Sequence, residues 1–142
     1  MVIKVFLGAD HAGFQLKEEV KPFLRKYDLK DLGAFTLIKD DDYPVYAKKV
    51  AKEVVKEKGC GILICGSGQG VCIAANKVKG IRAIVAENER DAFLGRKDDD
   101  TNVLCLQGRY TSLEKAKVII KTFLETKFAN KKRYKRRIKE LE

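Results

Sequence analysis

Histidine occurs once in this chain, at His11, and none of the cysteines Cys60, Cys65, Cys72 and Cys105 forms a Cys-x-x-Cys pair. A structural zinc site needs several such ligands at close spacing, so no metal site is expected. Scattered cysteines of this kind are not expected to pair as disulfides. Cys72 and Cys105 sit inside apolar patterns and read as small core residues. No apolar run approaches the ~18 residues that a membrane span requires. The stretch 1–9 is apolar but too short and too weakly flanked for a secretory signal. These absences point to a soluble, cytoplasmic protein with no membrane partner. Linkers, internal repeats and low-complexity segments are missing as well. A length of 142 residues with a 45% hydrophobic share suits one domain, 1–142, around one core.

Acidic residues are outnumbered: 20 Asp and Glu face 30 Lys and Arg, a formal net charge of +10. Much of the excess lies in Lys131-Lys132-Arg133-Tyr134-Lys135-Arg136-Arg137-Ile138-Lys139. Such a surface favours anionic partners: nucleic acid, phosphorylated metabolites or acidic proteins. Only Phe128 and Tyr134 are interleaved there, so base stacking has little to work with and nucleic acid is not the expected partner.

Apolar patterning alternates between short β-branched runs and helical spacings. Strands are expected at 2–7, 61–64, 81–86 and 102–106, with a short one ending at Asp31-Leu32-Gly33. Helices are expected at 13–27, 43–58, 70–77, 89–96 and 112–128, and the basic tail from 130 onward continues as a last helix. Pro44 suits a first helical turn, and Ser112 suits an N-cap. Strands alternating with helices imply an α/β fold: one three-layer α/β/α domain with a five-stranded parallel, Rossmann-like sheet and an extra C-terminal helix. Ligands of such sheets sit at the carboxyl ends of the strands.

The polar residues at those ends carry the chemistry. The first strand leads into Gly8-Ala9-Asp10-His11-Ala12-Gly13, a carboxylate beside the only imidazole; Asp10 could equally cap the following helix. The third leads into Cys65-Gly66-Ser67-Gly68-Gln69-Gly70. Glycines there let backbone N–H groups point at an anion, Ser67 adds a hydroxyl, and a cysteine ahead of a helix N-terminus loses its proton more easily. Three better-known loops are excluded. Val71 stands where a dinucleotide fingerprint needs glycine and where a Cys-x₅-Arg phosphatase needs arginine, and the P-loop lysine is missing. The run Arg96-Lys97-Asp98-Asp99-Asp100-Thr101-Asn102 follows the fourth strand and lacks the spacing of a calcium loop, so it reads as a solvated turn. The fifth strand leads into Gly108-Arg109, a cation at the same edge. Arg133 and Arg137, four apart, project from one helical face and could grip one phosphate.

Taken together, these stretches resemble the ribose-5-phosphate isomerase B family, which includes galactose-6-phosphate isomerase subunits. The resembling segments are Gly8–Gly13, Asp42-Tyr43-Pro44, Cys65–Gly70 with Ile73-Ala74-Ala75-Asn76-Lys77, Gly80-Ile81-Arg82-Ala83, and Asp100-Thr101-Asn102-Val103-Leu104, in that order. The resemblance implies a cofactor-independent, metal-independent aldose–ketose isomerase that interconverts ribose 5-phosphate and ribulose 5-phosphate through an enediolate. The family's base is this cysteine or a glutamate six residues on; position 71 is valine, so Cys65 is the expected base. By resemblance Ser67, Asp10 and His11 assist, and Tyr43, Gly66, Gly68, Gln69, Gly70, Asp99, Asn102, Arg109, Arg133 and Arg137 bind the sugar phosphate. A homodimer or tetramer with shared sites is likewise implied. Asp98 departs from the pattern, standing where the family usually has the histidine assigned to ring opening. A carboxylate can accept the same hydroxyl proton but is a poor donor at neutral pH. That departure admits a second reading, an isomerase of another phosphorylated aldose such as a hexose 6-phosphate. A third, of another class, is nucleic-acid binding through the basic tail.

Overall fold

Apolar segments too short to shield themselves find one shared solution, a parallel sheet covered on both faces. The computed structural model describes residues 2–142. Its strands are β1 (Lys4–Ala9), β2 (Asp28–Asp31), β3 (Cys60–Cys65), β4 (Ala83–Val85) and β5 (Val103–Gln107), in the order β2-β1-β3-β5-β4, all parallel. The helices are α1 (Phe14–Leu24), α2 (Tyr43–Glu57), α3 (Gln69–Asn76), α4 (Glu89–Asp99), α5 (Leu113–Glu125) and α6 (Lys132–Glu140).

Strand alternation divides the core. Val5, Leu7, Ile62, Ile64, Leu104 and Leu106 point to the face covered by α1, α4 and α5, against Leu16, Val20, Ala92, Ile120 and Phe123. Phe6, Leu63, Cys65, Val103 and Cys105 point to the other face, against Ala47, Val50, Ala51 and Val54 of α2 and Val71 and Ala75 of α3. The expected three-layer α/β/α fold is the one observed. Pro44 does stand in the first turn of α2, and the Ser112 hydroxyl does cap α5 by accepting from the Lys115 N–H at 3.2 Å.

Several boundaries differ from the sequence reading. β1 runs on to Ala9 because its last residues pair with Leu63 and Ile64, while Val2 is exposed. β2 stops at Asp31, whose carboxylate turns back to accept the Gly33 N–H at 2.9 Å. Cys105 is buried as expected, but Cys72 is only half-buried, its thiol donating to the Ala83 carbonyl at 3.4 Å. The largest correction concerns α4. Residues 96–99 are not a solvated turn but the last turn of this helix, and Asp100 ends it in the left-handed conformation, φ 48°.

Topology also fixes where a ligand can enter. From β1 the chain crosses to β2 on one side, and from β2 it returns past β1 to β3 on the other. The connections part between β1 and β3, and the crevice of an open sheet lies beyond the carboxyl ends of such a pair. The approach there is close: a Cβ on Gly13 would sit 2.3 Å from the Ile64 carbonyl oxygen. The neighbour is backbone and cannot swing aside. Gly13→Ala is therefore expected to destabilise the fold by about 2–3 kcal/mol or more, as overpacking against a rigid neighbour does, measured by urea denaturation. A wild-type midpoint in that variant would refute the tight β1–β3 junction.

Candidate active site

The β1–β3 register sets the first two groups side by side. Ala9 pairs with Ile64, so Asp10 and Cys65 emerge together at the carboxyl edge. The Asp10 N–H donates to the Ile64 carbonyl at 3.3 Å, and its carboxylate accepts the N–H groups of Ala12 and Gly13 at 3.0 and 3.2 Å. Asp10 thus braces the turn ahead of α1; the helix's own N-cap is Gly13, without a side-chain cap. Burial pushes the Asp10 carboxyl above its ordinary range, and the Gly13 N–H, the His11 ring and the Ala12 N–H pull it only part of the way back.

Cys65 ends β3, nearly buried, and the glycine loop follows. Gly68 takes φ +77°, which an L side chain rarely adopts, and so turns the chain into α3. The Ser67 hydroxyl oxygen accepts the Gln69 N–H at 3.3 Å, leaving its own hydrogen to donate. The first N–H groups of α3 have no acceptor inside the helix and favour negative charge beside them. Two glycines admit neighbours. A Cβ on Gly66 would lie 3.0 Å from a guanidinium nitrogen of Arg109, and one on Gly70 would lie 2.7 Å from the Tyr43 ring. Both side chains therefore lie down on the loop and wall a cleft of about 290 Å³, lined by Asp10, His11, Tyr43, Cys65, Ser67 and Arg109 along with Ala12, Gly66, Gly70 and Tyr110. A volume at the low end of the ~300–1,000 Å³ usual for ligand sites suits a small metabolite.

Sequence reasoning missed Asp41. Its Oδ1 accepts from both the backbone N–H and Nδ1 of His11, at 2.8 and 2.9 Å, and its Oδ2 accepts the Tyr46 hydroxyl at 3.0 Å. The only available signal was the acidic run Asp40-Asp41-Asp42 just before Tyr43-Pro44. Ligating atoms of Asp10, His11 and Asp41 lie within 4.8 Å of one another, so this is the grouping among the described residues that could hold a cation. Hydrogen bonds already engage Nδ1, Asp41 Oδ1 and Asp10 Oδ1.

Five residues expected at the site are not brought there within one chain. α4 starts beyond the carboxyl end of β4 and its 11 residues carry the chain back along the sheet, about 16 Å at the helical rise. Asp98 and Asp99 therefore sit at the amino edge, opposite the cleft, where Lys97 pairs with Asp98 at 3.1 Å. Asn102 is also at that edge and is used structurally: it accepts the Arg82 N–H at 2.8 Å and donates to the Gly80 carbonyl at 2.9 Å. Arg133 and Arg137 lie on α6, which packs on α4, the Tyr134 ring 6.0 Å from Lys97 Nζ. A roomier cleft of about 380 Å³ opens at the amino edge. Its arginines are already engaged, Arg82 and Arg96 both with Asp100, so it is the poorer anion site.

The family model described as Ribose/Galactose Isomerase matches residues 5–141. The chain belongs to this family. It is 41% identical over 142 residues to the probable ribose-5-phosphate isomerase B of Mycoplasma genitalium, covering 97% of this chain and 93% of that one. To the Escherichia coli ribose-5-phosphate isomerase B it is 43% identical over 128 residues, covering 88% and 85%. The Thermotoga maritima ribose 5-phosphate isomerase superposes with a TM-score of 0.93 at 39% identity, covering 98% and 97% of the two chains. The Mycoplasma genitalium enzyme with bound ribulose-5-phosphate superposes with a TM-score of 0.94 at 39% identity, covering 99% and 95%. A family member that handles a sugar phosphate needs its cleft walls in register. Gly70→Ala, which pushes Tyr43 off the loop, is expected to lower kcat/KM on a pentose phosphate on the order of ten- to a hundredfold. Thermal stability should change far less than in Gly13→Ala, because Tyr43 is partly exposed and can move. Unchanged kinetics in the Gly70 variant would remove Tyr43 from the cleft wall.

Proposed function

We propose that this chain is a type B ribose-5-phosphate isomerase that interconverts ribose 5-phosphate and ribulose 5-phosphate, with Cys65 as the proton-transfer base. The observation that carries the reading is the meeting of a thiol, a buried carboxylate and a guanidinium in one cleft at the mouth of a helix. In this scheme the Cys65 thiolate removes the proton from C2 of the open-chain aldose. The C2–H electrons form the C1–C2 double bond and the former carbonyl electrons move to O1. Amide N–H groups of the first turn of α3 and the Ser67 hydroxyl stabilise the enediolate, an effect typically of a few kcal/mol. Cys65 then returns its proton to C1, while the O2 proton passes to O1. Asp10, whose carboxyl burial pushes up, suits that relay. Arg109 holds negative charge at the far wall.

A second copy completes the site in this scheme, supplying Asp98, Asp99, Arg133 and Arg137. The support is geometric: one chain keeps these residues at the opposite sheet edge, while exposed Phe35, Leu37 and Tyr110 leave apolar surface near the cleft. The Asp98 carboxylate would take the ring-opening proton that histidine takes elsewhere.

Cys65→Ala should abolish turnover of ribose 5-phosphate while leaving its binding, by calorimetry, nearly intact; residual turnover would remove Cys65 as the base. A panel of pentose and hexose phosphates on the wild-type protein checks the sugar. Mixing unfolded Cys65→Ala and Arg137→Ala chains and refolding them together should recover roughly a quarter of wild-type activity, since half the dimers carry one intact shared site. No recovery would place both residues in one subunit's site.

A further inference from the structure

We infer that Asp41, backed by Tyr46, is a positioning residue: it holds the His11 ring with Nε2 turned to the cleft, beside Arg109, oriented to meet the phosphate of the substrate. The inference rests on the sugar-phosphate reading above and adds to it a group that reading does not use.

The geometry is over-determined for an accidental contact. Asp41 Oδ1 takes two hydrogen bonds from one residue, His11 N–H at 2.8 Å and Nδ1 at 2.9 Å, so backbone and ring are fixed together. Tyr46 then fixes Oδ2 at 3.0 Å from the body of α2. Tyr43, in the first turn of the same helix, forms the cleft wall, so one rigid element sets both. The Asp41 side chain is 7% exposed and that of His11 33%. The carboxylate is thus withheld from solvent and from the substrate, while the imidazole reaches both. With Nδ1 committed to donating, Nε2 is the nitrogen left to meet a ligand.

Charge follows from the same contacts. The groups facing His11 are Asp41 from the loop before α2, Asp10 from the end of β1 and Arg109 from the loop after β5. The Asp41 hydrogen bond raises the imidazole above its ordinary range, Asp10 adds to this, and partial burial and Arg109 oppose it. Burial pushes Asp41 up as well, but the two bonds from His11 and the one from Tyr46 hold it below its ordinary range, so it stays ionised. A cation-dependent contact is present below the raised histidine pKa and is lost as pH climbs through it. Asp41 moves that loss to higher pH.

The test exploits His11 being the only histidine, so one imidazole resonance reports it. Proton NMR titrations of wild type, Asp41→Asn and Tyr46→Phe are compared, with and without inorganic phosphate as probe, alongside KM and kcat for ribose 5-phosphate against pH. Asparagine can still accept from the backbone N–H, so the fold of the turn is kept while the charge goes. The imidazole titration is expected to fall by about one pH unit or more in Asp41→Asn, and by less in Tyr46→Phe. KM at pH 7.5 should rise about tenfold, with kcat within about threefold. His11→Gln combined with Asp41→Asn should match His11→Gln alone. An unchanged titration in both variants, a wild-type imidazole that ignores phosphate, or additive KM effects would each overturn the inference. Should Asp41→Asn fail to fold, Tyr46→Phe and the wild-type titration decide. Failure of wild type to turn over ribose 5-phosphate would sink the isomerase reading instead, and the NMR response to inorganic phosphate would still judge Asp41.

Discussion

The hydrogen-bonded register between β1 and β3 is the constraint on which the remainder of the molecule depends. It aligns Ala9 with Ile64 and so delivers Asp10 and Cys65 to one spot. It tolerates no side chain at Gly13, where the chain leaves β1 against the backbone of β3. Because α1 then packs on one face of the sheet and α3 on the other, the two turns diverge and leave the crevice between them. Glycines at 66 and 70 finish the work by letting Arg109 and Tyr43 lie against the loop. A slip of one residue in this pairing would turn every side chain of β1 to the wrong face, burying the site groups and exposing the core.

The loop between β2 and α2 is the second device, and it is pinned at both ends by carboxylates. Lys17, fully buried, bonds to Asp31 at 2.6 Å and to Glu18 at 2.9 Å. The other oxygen of Asp31 takes the Gly33 N–H, anchoring the start of the loop. Asp41 anchors its end to His11. Breaking a buried pair such as Lys17–Asp31 by removing one partner leaves an uncompensated charge, a cost of about 3–5 kcal/mol. So a chain with a large positive excess uses its acids sparingly and locally, to tie a surface loop to the sheet edge where anions are handled.

Much of this was legible in the chain. Apolar alternation located the strands of the parallel sheet, and the order of elements implied the three layers that are observed. The glycine loop after an apolar run placed Cys65 at a strand end ahead of a helix, where it stands. Boundaries were less legible at β1, whose end is decided by its partner β3, and at α4, whose last turn is too acidic to look helical yet is held by the Asp100 N–H donating to Gly95. Asp41 was invisible because nothing local links it to His11, 30 positions earlier.

By itself the sequence determined the order of the elements, the buried face of the central strands, the chemistry of the loops and the family. Those properties depend on near neighbours, through periodicity, glycine freedom and the ordering of motifs. Only the tertiary structure decided which groups share a cleft. It joined His11 to Asp41 and Tyr46, and it sent Asp98, Asp99, Arg133 and Arg137 to the opposite edge. Periodicity says that a helix forms but not what lies at its far end, because that distance is set by helix length, strand order and the direction in which the chain crosses the sheet.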